Sequence, residues 1–156
     1  MASTERTILE RVRTNCQAID GSGSYNFDFS DTDAVILGME PATTAPRSPG
    51  IYIFTVQLNS RRIKGRTPLN SFTREFVIQI DCWVPRGSET SGDAMLQAVD
   101  ASSDVMRALE NDPTCGGVTH DLSINALTYD GEQIQIPGYG VASLRVVFDY
   151  DEKRGA

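Results

Sequence analysis

The side chains able to do chemistry are few and scattered. The chain has one histidine, His120, and three cysteines, Cys16, Cys82 and Cys115, with no CxxC spacing among them. A general base or a metal ligand works only with partners held beside it, and the sequence assigns none to His120, which reads as a surface or turn residue. No HExxH, GxSxG or GxxxxGK[ST] segment occurs. Gly21-Ser22-Gly23 is a flexible turn and not a phosphate loop, because no strand clearly precedes it and no helix follows. The run DFSDTD sets Asp28, Asp31 and Asp33 at short intervals, a pattern that offers oxygens to calcium. It lacks the ligand spacing and closing glutamate of an EF-hand, so a solvated acidic turn with local Asx-type bonding is the better reading. These residues predict no catalytic centre, no metal site and no cofactor. The odd thiol count suits reduced cysteines packed as small apolar groups in a cytosol.

Charge placement carries more information. The net charge is −7, which argues against general nucleic-acid binding, since that needs a basic footprint. The charges are also segregated. From Asp20 to Glu40 there are five acids and no base, and from Asp93 to Asp112 five acids against Arg107 alone. From Ile51 to Arg74 there are five bases, Arg61, Arg62, Lys64, Arg66 and Arg74, and no acid. Separated charge of this kind steers complementary surfaces together. The predicted contact surface is therefore Arg61, Arg62, Lys64 and Arg66 on one side and Asp93, Asp100 and Asp104 on the other. A solvated loop and a solvated helix face are the alternative. Between identical copies, a basic loop meeting an acidic patch is a heterologous contact, and such contacts close into rings when the rotation permits.

The elements that must position these groups follow from periodicity. The central stretch is Phe72–Gly117. Phe76, Ile78, Ile80, Cys82 and Val84 alternate along a strand that Pro85 should stop. Trp83, at the strand end, reads as core or interface. A helix follows from an N-cap near Ser91 to Asp112-Pro113. Met95, Val99, Ser102, Met106 and Leu109 form its expected apolar face, with Asp93, Gln97, Asp100 and Asp104 opposite. Thr4 to Ala18 reads as a first helix with Ile8, Val12, Cys16 and Ile19 as its stripe. The segment from Gly21 to Gly50 reads as irregular, with short extended pieces that include Val35, Ile36 and Leu37. Ile51 to Leu58 is a strand rich in β-branched and aromatic residues. It enters the central strand through a long basic hairpin tip, NSRRIKGRTPLNS. Two closing strands run from Thr119 to Tyr129, with Leu122, Ile124 and Ala126 alternating, and from Val141 to Tyr150.

This order predicts one α+β domain over residues 1–156: a mainly antiparallel sheet of about four strands, two helices packed on one face, a long extended hairpin, and a charged tail from about residue 151. No apolar run approaches the roughly 20 residues that span a bilayer, so no membrane partner is expected. The opening MASTERTILERVRTN has no export signal.

The conjunction of an opening helix, GSGSYNFDFSD, a strand ending VIQIDCWVP, the helix DAMLQAVDASSDVMRALENDP, CGGVTHDLSI and a last strand ending VVFDY resembles the tail terminator (tail completion, minor tail) proteins of long-tailed bacteriophages. The likeness is to the lambda-like group and its prophage and gene-transfer-agent relatives, over about residues 5 to 150. It implies a non-enzymatic virion protein of the tail and neck, assembled in the host cytoplasm. Such proteins form a hexameric ring on the tail tube, end its polymerisation and face the head-neck connector. The genome would pass through the ring without specific binding. A head-completion, connector or tail-tube protein is the alternative of the same kind, and a small hydrolase or ligand-binding module the remoter one.

Overall fold

Ser3 opens the first helix, α1 (Thr4–Gln17). Its Oγ accepts from the backbone N–H of Arg6 at 3.2 Å and so satisfies one free donor of the first turn. The computed structural model describes residues 2–38, 49–62, 71–85, 93–130 and 139–153, with the backbone alone at positions 62, 71, 93, 126, 128–130 and 153. Ile8, Val12, Cys16 and, just past the helix, Ile19 are fully buried, as their spacing predicts.

Five strands follow: β1 (Val35–Leu37), β2 (Gly50–Arg62), β3 (Ser71–Pro85), β4 (Asp121–Asp130) and β5 (Tyr139–Lys153). They form one sheet in the order β1-β2-β3-β5-β4. β1 pairs parallel to β2, with Val35 opposite Ile51, and the other neighbours are antiparallel. The sheet is thus mixed and five-stranded, which corrects the expected four. Three apolar residues carry no period of their own, and β1 becomes a strand only because Ile51–Ile53 lies beside it.

Alternation assigns the two faces. Phe76, Ile78, Ile80 and Cys82 of β3 join Ala142, Leu144, Val146 and Phe148 of β5 and Ile51 and Ile53 of β2 in one core. Both helices cover this face. α1 lies over β1 and β2, and α2 (Asp93–Glu110) over β3, β5 and β4. On the opposite face Tyr52, Trp83 and Val141 make a smaller buried cluster, with Trp83 edge-on to Tyr139 at 5.7 Å between centroids. Trp83 is therefore buried on the side away from both helices.

α2 buries Ser102 and Leu109 of its expected face but is rotated toward its small residues. Ala94, Ala98, Ala101, Val105 and Ala108 face the core, while Met95, Val99 and Met106 are only partly buried. The cause is a close approach to β5. A Cβ on Gly140 would lie 2.1 Å from the carbonyl oxygen of Ala94, so only glycine there and small residues on the helix allow the contact. Large side chains on that stripe would hold the helix away, whatever their hydrophobicity.

Three boundaries also differ from expectation. β2 continues through Asn59, Ser60, Arg61 and Arg62, each opposite a β3 residue, so the basic stretch begins in strand and not in loop. β5 continues through Asp151, Glu152 and Lys153, which pair with Thr73, Phe72 and Ser71, so these residues of the expected charged tail belong to the sheet. In β4 the register shifts between Ile124 and Ala126, so that Leu127, not Ala126, follows Ile124 onto the core face opposite Leu144. Such a bulge inserts one unpaired residue and resets the alternation.

Candidate subunit interface

The positions of the charged groups decide what kind of surface they make. Arg61 is exposed on β2 opposite Thr73, and Arg62 follows it with its backbone paired to Phe72. Lys64 and Arg66 lie outside the described residues. Arg74 alternates onto the helix side. There its Nε lies 2.6 Å from Glu152 Oε2 and its guanidinium stands 5.8 Å over the Phe72 ring. That base is used within the chain, whereas Arg61 projects from the exposed half of β2, Thr55–Arg61.

Among the acids, Asp93 is the first residue of α2, described by its backbone alone, and Asp100 is exposed. Asp104 is a correction. The sequence places it on a solvated face, yet it is fully buried. Its carboxylate accepts from the backbone N–H of Asn26 at 2.8 Å, the Asn26 amide at 3.0 Å and the backbone N–H of Phe27 at 2.9 Å. Arg107, one turn on, donates to the Ser24 carbonyl and lies 6.0 Å from the Tyr25 ring centroid. Asp104 and Arg107 thus hold the segment around residues 24–27 down on α2. Asp104 is a buried tie, not a contact surface, because that segment closes over it.

Asp112 is also committed inside the chain. It accepts from Arg11 Nε at 2.7 Å, Asn15 Nδ2 at 2.9 Å and the Gly116 N–H at 2.9 Å. Burial pushes its pKa up, but these bonds outweigh burial and hold it below the usual carboxylate range. The DFSDTD turn has the local bonding expected of it: Asp28 Oδ1 accepts from the Ser30 N–H at 2.9 Å and Asp31 Oδ1 from the Asp33 N–H at 3.2 Å. Among the described residues no group of three or more His, Cys, Asp or Glu side chains is placed to hold a metal ion.

The fold assembles an acidic feature that sequence reasoning missed. Glu75 of β3 lies opposite Asp149 of β5, and Asp149 lies opposite Asp121 of β4. Three carboxylates therefore sit side by side in one row across the sheet face turned away from the helices. Burial raises the Asp149 pKa, and Glu75 and Asp121 raise it further, with His120 acting the other way. His120 donates its backbone N–H to the Asp149 carbonyl at 2.7 Å and places Nε2 3.2 Å from Asp151 Oδ2. The signal in the sequence was an acid at an outward position in each of three strands, but only the register shows that they align.

The thiols are screened from chemistry. Burial pushes Cys16 up to about 12, Cys115 up to about 11 and Cys82 well above its ordinary value. What remains exposed for association is charge, together with a few large apolar side chains, Val56, Leu58, Leu96 and Val118.

No family profile and no curated protein matches the chain. Among solved structures it is similar to the sheath/tube terminator of an extracellular contractile injection system in its extended state. The identity is 12%, the TM-score 0.44 and the coverage 97% of this chain. The chain spans 58% of the length of that protein. Among the described residues no helix is long and apolar enough to cross a membrane.

Proposed function

We propose that this chain is a tail terminator, a structural protein that sits as a hexameric ring on the end of a phage tail tube. In this role it stops tube polymerisation and presents a surface to the head-neck connector. The observation that carries the reading is the exposed half of β2. Thr55–Arg61 is exposed along its length and ends in Arg61, while the other half of the same strand is buried under α1. A strand buried at one end and, at the other, paired to β3 on one side with its side chains exposed is suited to meet a neighbouring subunit or the tube. The chain-long resemblance, from GSGSYNFDFSD to VVFDY, supplies the kind of partner. The role asks for no catalysis and no cofactor, and a chain of net charge −7 lets the genome pass without holding it.

Electron microscopy of particles made without this protein tests the reading. Tails of uncontrolled length, separate from filled heads, are expected. Tails of normal length beside leaking heads would assign the chain to head completion, and normal infectious particles would remove it from tail assembly altogether. Neutralising Arg61, Arg62 and Lys64 together should weaken ring assembly, and unchanged assembly would count against the basic arm as the contact.

A further inference from the structure

Among the described residues the sheet presents two strand edges without a partner. β1 pairs with β2 only from Ile51 to Ile53, so the outer edge of β2 from Phe54 to Arg62 has no partner strand among the described residues. At the other end, β4 is bonded to β5 on one side and to no described strand on the other. Such an edge presents a row of backbone N–H and C=O groups ready to pair with another chain. Val56 and Leu58 on the β2 edge are large apolar residues left 38% and 42% exposed.

We infer that copies of this chain join head to tail, the free half of β2 in one copy pairing antiparallel with β4 of the next, so that the sheet continues across the subunit boundary. The inference rests on the ring reading above and names the contact that makes the ring. Four observations fit β2 to β4. The first is direction: β3 runs opposite to β2, β5 opposite to β3 and β4 opposite to β5. β2 and β4 are thus antiparallel, and a rotation about an axis along the strands keeps them so. The second is level. Through the registers, Gln57 is in line with Ser123, Leu58 with Leu122 and Asn59 with Asp121. The outer half of β2 therefore meets the first half of β4 without a large shift along the axis, and β4 from Leu127 on, level with the Ile51–Ile53 stretch that β1 occupies, has to turn aside at its bulge.

The third is the helix-side face, where exposed Leu58 would lie beside half-buried Leu122 and Ile124. The fourth is charge on the other face. Arg61 at the β2 edge would approach Asp121, the end of the row in which Glu75 and Asp121 flank Asp149 with like charge. A cation from the neighbouring copy relieves that repulsion. Each edge strand also has a register shift, between Thr55 and Gln57 and between Ile124 and Ala126. These confine pairing to a short stretch, and a closed ring leaves neither edge open for indefinite growth.

Cysteine pairs test the contact in the full chain, because the three native thiols are buried. Two double variants, Asn59→Cys with Asp121→Cys and Gln57→Cys with Ser123→Cys, are oxidised alone and on tail tubes lacking this protein. Their four single variants are treated in parallel. Native mass spectrometry reads the assembly, and denaturant unfolding confirms that each variant folds. On a denaturing gel the expected result is a covalent ladder up to the ring size in at least one double variant and monomers in every single variant. A charge swap adds an independent readout. Arg61→Glu should weaken assembly at least tenfold, and adding Asp121→Arg should restore it. Rings by mass with no ladder in either double variant and no rescue would overturn the edge contact and leave the ring reading standing. Covalent dimers of a single β2 variant would overturn it in favour of a two-fold β2–β2 contact. No ring under either condition would overturn both readings.

Discussion

Asp104 separates a buried tie from a surface charge. Replacing it with alanine leaves two backbone N–H groups and one side-chain amide without their acceptor and opens a cavity at a fully buried side chain beneath the partly exposed Asn26–Phe27 segment. Hydrogen bonds to a charged group contribute roughly 1.5–3 kcal/mol each, and the three act on one segment, so their sum falls short of additive. About 4 kcal/mol is the expected loss for Asp104→Ala, a large share of the roughly 5–15 kcal/mol that stabilises an ordinary domain. Asp104→Asn keeps one acceptor oxygen but turns a donor toward donors, and about 2 kcal/mol is expected for it. With a urea slope of about 2 kcal/mol/M, the alanine variant should unfold at a midpoint lower by about 2 M and the asparagine variant by about 1 M. Asp100→Ala, on the exposed side of the same helix, should stay within about 0.5 kcal/mol of the parent. A midpoint for Asp104→Ala within about 0.3 M of the parent, at the ~2 kcal/mol/M slope, would refute the reasoning, and loss of ring assembly without loss of stability would return Asp104 to the interface.

Gly140→Ala should cost about 3 kcal/mol or more in urea unfolding, because its Cβ would collide with helix backbone, which cannot swing aside as a side chain can. Asp112 has a depressed folded-state pKa, so its stabilisation is present above the ordinary carboxylate value of ~3.9 and lost as pH falls through the folded value. Asp112→Asn should therefore unfold at lower urea than the parent at pH 7, and the gap should close in acid. Asp149 is raised, so the sign reverses: Asp149→Asn should be more stable than the parent at pH 7, and the gain should vanish below ~3.9, where both forms are neutral in the folded and unfolded states. The three cysteines should resist alkylation at pH 8 in the native protein and react together only on unfolding; a fast thiol in the native state would contradict their burial.

Much of the fold was legible because it rests on local rules. The α1 stripe of Ile8, Val12 and Cys16, the alternation along β3 and β5 and the end of β3 at Pro85 follow from residue spacing and backbone chemistry, and spacing is written in the sequence. The basic stretch was also legible as composition. Its placement was not, because strand pairing extends β2 through Arg61 and Arg62. The same limit applies to the acids. Asp100 and Asp104 have equivalent spacing on one helix, and only the segment folded over Asp104 makes one a surface charge and the other a buried tie.

By itself, then, the sequence determined the two helices and the centres of the four long strands, which side chains share a face along β3 and β5, and that positive and negative charge are kept apart in the chain. Tertiary structure decided everything that depends on two segments meeting. It recruited Val35–Leu37 into the sheet, turned the alanines of α2 toward Gly140, and aligned Glu75, Asp149 and Asp121 in one row. Among the described residues it also left one edge of β2 beyond Ile53 and one of β4 without a partner strand. The physical reason is that periodicity fixes the direction of a side chain relative to its own backbone, whereas register and close approach are fixed by the neighbouring backbone, far away in the chain.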